Sequence, residues 1–321
     1  MSARTAMRVL VTGASGFVGR ALCPVLAAQG HEVLRAMRRP DGLPGTVAAG
    51  DLDGPAEWLR KVPPPDVLVH LAARVHQMHE RADEAELLHH RANCEGTLAL
   101  ARVAQDMGVK RFVFVSSIKV SGEGRPGQPY RPDEAPAPAD AYGRSKAAAE
   151  AGLHALAAAG PLELVIVRPP LVYGREAAGN FRSLARALAG GWPLPLGALD
   201  GNRRSLVAVD NLADFVALCV THERAPGRVW MVSDDEDVST AGLVRRMGAA
   251  MGRPARLLTV PRGLLDVLAG LLGRRGLMQR LAGDLTVDVS DSKALLGWRP
   301  VVSLDQGLAR ALAPARQADS P

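Results

Sequence analysis

Val9-Leu-Val-Thr12-Gly13-Ala-Ser-Gly16-Phe-Val-Gly19 is the stretch on which the fold turns. A short apolar run ends in glycines spaced G-x-x-G-x-x-G and passes straight into an Ala/Leu-rich helical pattern. That order suits a phosphate-binding turn. The first glycine allows a tight reversal, the second lets backbone approach a pyrophosphate, and the third admits close helix–sheet packing. Gly13, Ser15, Gly16, Phe17, Val18 and Gly19 are therefore the first candidate dinucleotide contacts.

Outward from this turn, strand patterns are expected at 7–12, 32–37, 46–49, 67–71, 111–116 and 163–168, with helical patterns at 16–29, 82–107 and 142–159. Strands this apolar, alternating with helices, imply an α/β fold with a doubly wound parallel (Rossmann) sheet covered on both faces. Pro24 falls inside the first helical pattern, where a bend is expected. Pro126, Pro129, Pro132, Pro136 and Pro138 exclude regular helix between 122 and 140 and indicate an ordered surface loop. Beyond Pro169 the loops lengthen, with helices expected near 181–189, 211–221, 240–251, 264–272 and 304–312. The division that follows is a dinucleotide-binding domain over 1–169 and a smaller, mainly C-terminal α/β substrate-binding domain over 170–321. Segments near 205–232 return to the first domain, and 313–321 form a frayed tail.

The chain has 321 residues, 47% hydrophobic and 22% charged, which is globular composition and excludes a disordered protein. The net charge of +6 is spread over pairs such as Arg38-Arg39, Arg203-Arg204 and Arg274-Arg275, which suits anionic small molecules rather than nucleic acid. With aromatics at 4%, a stacking platform for single strands is not expected either. Cys23, Cys94 and Cys219 are odd in number and lack metal-ligand spacing, so a reducing, cytoplasmic compartment is expected. No secretory signal is expected ahead of Val9. The richest apolar segment, 261–272, is broken by Arg262 and Asp266; it reads as an amphipathic core helix, with no stable membrane insertion.

An acidic residue ending the second strand would bind a ribose 2′-hydroxyl, and an arginine would accept a 2′-phosphate. Here that place reads Met37-Arg38-Arg39, which favours NADP(H), with Arg38 ahead of Arg39; NAD(H) is the alternative. Asp51-Leu52 follows the third strand and is placed to reach an adenine edge. Leu71, Ala72 and Ala73 end the fourth, where small residues let backbone pass ribose and pyrophosphate.

Tyr142-Gly-Arg-Ser-Lys146 puts a phenol and an ammonium four apart on one helical face. A free phenol titrates near ~10, and a neighbouring cation favours its ionised form. Ser117, at the end of the fifth strand, is placed to hydrogen-bond the same substrate oxygen. His76-Gln-Met-His79 with His89-His90 offers imidazoles on a shared face. It lacks a cysteine or carboxylate at ligand spacing, so no metal site is expected. His76 and Met78, following the fourth strand, are instead placed to shape a substrate pocket.

The motifs together resemble an extended short-chain dehydrogenase/reductase of the nucleotide-sugar epimerase/dehydratase group, from Val9 to about residue 312. The matching elements are Gly13/Gly16/Gly19, His70-Leu-Ala-Ala73, Asn93-Cys-Glu-Gly96-Thr97, Ser117, Tyr142/Lys146, Arg168-Pro-Pro-Leu-Val-Tyr-Gly174, Arg204 before Val209-Asp210, and Lys293-Ala-Leu-Leu-Gly-Trp298. The resemblance implies that Tyr142 is the acid–base group, that Lys146 binds the nicotinamide ribose and tunes Tyr142, and that Ser117 polarises the reacting oxygen. It further implies that Asn93 orders the active-site backbone and that Pro169 and Val172 border the nicotinamide. On the substrate side it implies that Asn180 and Leu196, within 193–197, hold uridine and that Arg204 clamps the diphosphate. Arg280 stands one residue away from the place where a second arginine precedes Gly283-Asp284. Homodimers through helices around 85–107 and 142–159 are also implied.

Within that group, Ser116-Ser-Ile-Lys-Val120, Asn180-Phe-Arg-Ser-Leu184 and Arg203-Arg-Ser-Leu-Val207 resemble bacterial 4-keto-6-deoxy nucleotide-sugar reductases of O-antigen and polysaccharide assembly. The expected reaction is NAD(P)H-dependent reduction of the 4-keto group of a UDP-4-keto-6-deoxy-hexosamine, giving UDP-N-acetylquinovosamine or a relative. Lys119, so close to Ser117, is read as a substrate contact or an ion-paired lysine. The alternatives are a UDP-hexose 4-epimerase with retained NAD and, from another class, a dinucleotide-binding regulator whose catalytic residues are relics. A 4,6-dehydratase is disfavoured, because Ile118 and Lys119 stand where an acid–base pair is needed.

Overall fold

The computed structural model describes residues 6–75, 82–271 and 275–313. Seven strands form one parallel sheet in the order β3-β2-β1-β4-β5-β6-β9. They are β1 (Arg8–Thr12), β2 (Glu32–Met37), β3 (Thr46–Ala48), β4 (Val67–His70), β5 (Arg111–Val115), β6 (Glu163–Arg168) and β9 (Arg228–Met231). Strand order reverses between β1 and β4, so a crevice opens there at the carboxyl ends of the strands.

The central strands are apolar throughout because both faces are covered. Val9, Val11, Val69, Val113, Val165 and Val167 pack against α1 (Phe17–Ala28) and α6 (Val209–Thr221). Leu10, Leu68, Phe112, Phe114, Leu164 and Ile166, on the opposite face by strand alternation, meet α3 (Gly96–Asp106) and α4 (Ala141–Ala158). Helix α1 runs unbroken through Pro24, which lies on its exposed side and removes one helical hydrogen bond.

The helix expected over 82–107 is three pieces: α2 (Ala82–His89), a wide π-helical turn (His90–Glu95), and α3. Within the wide turn Asn93 is buried and bonds the backbone of Arg74. Short strands β7 (Leu171–Tyr173) and β8 (Leu206–Ala208) pair in parallel outside the main sheet. At three residues each they are too short to show alternation.

A second core gathers Tyr173, Phe181, Leu188, Leu206, Val244, Met247 and Leu308. It is built from α5 (Asn180–Ala189), α7 (Thr240–Ala250), α8 (Arg262–Leu271), α9 (Arg275–Ala282) and α11 (Leu304–Leu312). Leu296 at the end of α10 (Ser290–Leu296), and Trp298 after it, pack back onto the sheet side. The proline-rich loop is held by its middle: Tyr130 N–H donates to the Thr286 carbonyl at 2.8 Å, and Asp288 N–H donates to the Tyr130 carbonyl at 2.9 Å. Cys23, Cys94 and Cys219 are buried and unbridged. Among the described residues no helix is long and apolar enough to cross a membrane.

Candidate active site

The glycine turn closes over the end of β4. A side-chain carbon on Gly13, which has φ 67°, would sit 2.8 Å from the Ala72 backbone nitrogen. One on Gly19 would sit 2.4 Å from the Gly13 carbonyl, so the third glycine is needed for helix–turn packing. Gly96 opens α3 so close to the loop after β3 that an added carbon would be 1.9 Å from the Leu52 carbonyl. The hollow these approaches leave is a cleft of about 600 Å³. It brings together Gly13, Ser15, Gly16, Arg38, Arg39, Asp51, Leu52, Leu71, Ala72 and Ala73. Phe17 and Val18 start α1 beside it, and Phe17 also packs against the second core.

Cleft size, a glycine turn opening a helix, and cations at the far end fit a nicotinamide dinucleotide: backbone for the pyrophosphate, the 38–39 and 51–52 segments for the adenosine. Arg38 does not face the cleft alone, since its Nε pairs with Asp51 Oδ1 at 3.0 Å, both side chains being about 70% exposed. Arg39 is exposed and has no acidic partner among the described residues.

The floor of the cleft is a closed polar network. Buried His70 meets Thr12 Oγ1 at 2.7 Å and Thr97 Oγ1 at 3.0 Å. Burial, with Lys146 adding to it, drives its imidazole down to about 3, so it is neutral. Asn93 Oδ1 accepts from Arg74 N–H at 2.7 Å, while its amide donates to the Arg74 carbonyl at 3.0 Å and Ser145 Oγ at 3.1 Å. Ser145 in turn donates to the Tyr142 carbonyl at 2.8 Å, linking the strand end to α4.

Helix α4 carries Tyr142 and Lys146 and is fixed at both ends of its first turns. Asp140 caps it, accepting from Gly143 N–H at 2.7 Å. Deeper in, Glu150 and Arg168 form a buried ion pair that also engages Ser121. Lys146 Nζ donates to the Val115 carbonyl at 3.0 Å and lies 4.3 Å from the Phe114 ring centroid. Burial lowers the Lys146 ammonium to about 7, partly offset by Glu150. The Tyr142 phenol is pushed up to about 12, first by burial and then by the charge of Asp140. The His89 ring stands edge-on to it, with centroids 6.0 Å apart.

Ser117 follows β5 and opens the turn Ile118–Val120, its hydroxyl accepting from Lys119 N–H at 3.2 Å. Pro169 is placed beside it, its carbonyl accepting from Ile118 N–H at 3.0 Å; Val172 lies on β7. Lys119 Nζ pairs with Glu123 Oε1 at 2.8 Å and with Asp140.

The candidate substrate residues lie further apart. Arg204 is half-buried, with one Nη donating to the Gly283 carbonyl at 3.0 Å, and burial lowers its guanidinium. Asn180 is exposed at the start of α5, whereas the Leu196 side chain is buried in the second core and Arg280 is exposed on α9. Asp284 ties the substrate side together, accepting from Arg203 N–H at 2.8 Å and Gly127 N–H at 3.0 Å. His76, Met78 and His79 lie outside the described residues, as do Arg274 and the tail beyond Ala313. Among the described residues no group of three metal-ligating side chains comes together.

The sequence analysis passed over Asp140 and Glu150 and met Arg168 only as the first residue of a matching motif, without a role. Asp140 carried a legible signal, an aspartate directly before a helical run. The other two look like ordinary charged residues until the fold buries them.

Residues 9–233 match the NAD dependent epimerase/dehydratase family. A UDP-glucose 4-epimerase of Vibrio cholerae is 40% identical over 305 residues, 93% of this chain and 92% of that one. Among solved structures, UDP-glucose 4-epimerase of Thermotoga maritima superposes with a TM-score of 0.76 at 22% identity, covering 95% of this chain and 97% of that one. The Bordetella bronchiseptica enzyme WbmG, in complex with NAD and UDP, gives 0.74 at 23%, covering 96% and 94%.

Proposed function

The chain belongs to the NAD dependent epimerase/dehydratase family, and from that premise we propose that it reduces the 4-keto group of a UDP-4-keto-6-deoxy-hexosamine. The observation that carries this reading is the Tyr142 phenol. Burial beside Asp140 keeps it protonated at neutral pH, the form needed to deliver a proton to a carbonyl oxygen. Ser117, on the neighbouring turn, donates a second hydrogen bond to the same oxygen as negative charge develops on it. Lys146, one helical turn beyond Tyr142, would as an ammonium stabilise the phenolate left behind, which regains its proton before the next turnover; burial brings that ammonium down to about 7. The nicotinamide dinucleotide supplies the hydride when bound. Gly13, Gly16, Ala72 and Gly96 would hold it by backbone approach, and Arg39, without an acidic partner among the described residues, would accept a 2′-phosphate.

On the substrate side, Arg204 would take the diphosphate through the part of its fork not bound to Gly283. Dehydration is a poor fit, because buried Ile118 and ion-paired Lys119 supply no carboxylic acid beside Ser117.

A second reading is a UDP-hexose 4-epimerase that keeps its NAD. It is favoured by the Arg38–Asp51 pair, in which a carboxylate already occupies the first of the two arginines after β2, and by the 40% identical relative. Denaturing the purified protein and identifying released dinucleotide separates the two. Stoichiometric NAD, with interconversion of UDP-glucose and UDP-galactose, selects the epimerase. Empty protein that oxidises NADPH with a UDP-4-keto-6-deoxy sugar selects the reductase. In either case Tyr142→Phe lowers turnover by about 10²–10⁴ with little change in KM. A Tyr142→Phe protein with full turnover would remove both readings.

A further inference from the structure

We propose that the exposed side of α8 is a docking surface for an anionic lipid bilayer, on which the protein rests in plane and reversibly, whichever of the two reactions it catalyses. Only one side of this helix serves the core. Leu265 is buried in the second core together with Met278 of α9. Leu264, Val267 and Leu271 follow the i, i+3, i+7 spacing of a single helical stripe, and they are 52%, 59% and 80% exposed. Arg262 and Asp266 stand on a third side, 3.8 Å apart. The apolar arc of α8 is therefore wider than the fold covers among the described residues.

The same part of the chain carries its charge. Residues 252–283 hold six arginines and a single acid, Asp266, and 180–199 add two arginines and no acid, so these segments together carry +7 in a chain of net charge +6. The rest of the sequence is close to neutral. Backbone hydrogen bonds join the two segments: Leu194 N–H donates to the Arg256 carbonyl at 2.8 Å, and Leu258 N–H donates to the Leu194 carbonyl at 2.9 Å. Arg253 adds a side-chain tie to the Ala189 carbonyl at 2.8 Å. Arg253, Arg256 and Arg262 are exposed, and so are Trp192 and Leu258 on the joined segments.

Leucine, valine and tryptophan beside cations of one sign are the make-up of helices that lie in a membrane interface, with the apolar side among the acyl chains and the cations at the headgroups. A negatively charged bilayer complements both halves of this surface at once. Among the described residues no helix is long and apolar enough to cross a membrane, and α8, at ten residues, is about 15 Å long. Docking is therefore peripheral. Neither α8 nor the 253–258 segment lines the dinucleotide cleft, so lipid and cofactor binding are separable.

Flotation of the purified full chain with lipid vesicles tests this. It should bind vesicles of equal parts phosphatidylglycerol and phosphatidylethanolamine, and bind pure phosphatidylcholine vesicles at least about tenfold less. Val267→Ser with Leu271→Ser should weaken binding by about tenfold or more, because binding scales with the apolar area buried. Arg256→Gln with Arg262→Gln should weaken it by a similar factor, and raising salt from about 50 to 500 mM should weaken binding of the parent protein. Dinucleotide affinity should be unchanged in both variants. Absence of binding to the anionic vesicles would overturn the proposal, as would equal binding to phosphatidylcholine or undiminished binding by the serine variant. An oligomer of the parent protein that the serine variant breaks up in analytical ultracentrifugation would overturn it too, by assigning this face to a second copy of the chain. Should the serine variant not fold, the arginine variant and the two vesicle types decide.

Discussion

Arg168 and Glu150 meet as a forked ion pair, Nε to Oε1 at 3.1 Å and Nη2 to Oε2 at 2.5 Å, with both side chains 4% exposed. The pair joins the end of β6 to the helix that carries Tyr142 and Lys146, and Arg168 also donates to Ser121 at 3.2 Å, just past the Ser117 turn. The end of β6, helix α4 and the segment just past the Ser117 turn therefore converge on one guanidinium.

Breaking this pair from one side leaves a buried, uncompensated charge. Arg168→Met should destabilise the protein by about 3–5 kcal/mol in urea unfolding. Replacing both members, Arg168→Met with Glu150→Leu, should regain most of that stability because the stranded carboxylate is gone. Turnover should be reduced in both the single and the double variant, since the Glu150–Arg168–Ser121 link between α4 and the segment past the Ser117 turn is lost. A double variant as unstable as the single one would show that packing, not charge, is the contribution of the pair.

Lys146 carries a signed pH dependence. Folded, its ammonium titrates near 7; unfolded, near 10.5. Between these values the unfolded chain binds more protons, so stability of the cofactor-free protein rises with pH across that window. Lys146→Met should flatten the slope and stabilise the cofactor-free protein at pH 7 by about 1–3 kcal/mol, while turnover collapses. Urea midpoints measured from pH 7 to 10 on both proteins test this. An unchanged slope would mean that Lys146 remains charged when folded.

Gly96 has no room for a side chain, and Gly263 on α8 has nothing within 4 Å. Gly96→Ala must push α3 away from the Leu52 loop and should abolish dinucleotide binding while destabilising the fold by about 1–3 kcal/mol. Gly263→Ala should instead gain about 0.5–1 kcal/mol from helix propensity and leave binding intact. Dinucleotide fluorescence titration and thermal melts distinguish them. Unimpaired binding by Gly96→Ala would show that the loop yields without closing the cleft.

The parallel sheet was legible because Val, Leu and Phe run continuously through β1, β4 and β5, and the glycine turn sits where strand order reverses. The cleft residues from Gly13 to Ala73 follow from the same topology, which places strand ends beside one another. The break at His90–Glu95 was not legible, since the Arg74 backbone that Asn93 meets there is distant in sequence. Leu196 matched a substrate loop by pattern, and its side chain lies in the second core, a placement that the pattern did not reveal. The Arg38–Asp51 pair was hidden for a related reason. Each residue was given a cofactor role separately, and only the fold puts them 3.0 Å apart.

That pair makes cofactor choice separable into two arginines. Asp51 holds Arg38 by charge, so a 2′-phosphate must compete with a carboxylate for it, whereas Arg39 has no such rival among the described residues. Asp51→Asn should release Arg38 and strengthen NADP(H) relative to NAD(H) by about tenfold. Arg39→Ala should weaken NADP(H) by a similar factor with NAD(H) nearly unaffected. Because both arginines are exposed, the NADP(H) gain should shrink as salt is raised from 50 to 500 mM. Calorimetric titration of each dinucleotide into the three proteins reads the preference directly. Equal losses of NAD(H) and NADP(H) in Arg39→Ala would place Arg39 on the pyrophosphate or adenine instead. An Asp51→Asn protein with unchanged preference would show that Arg38 stays turned away from the ribose even when its partner is neutral.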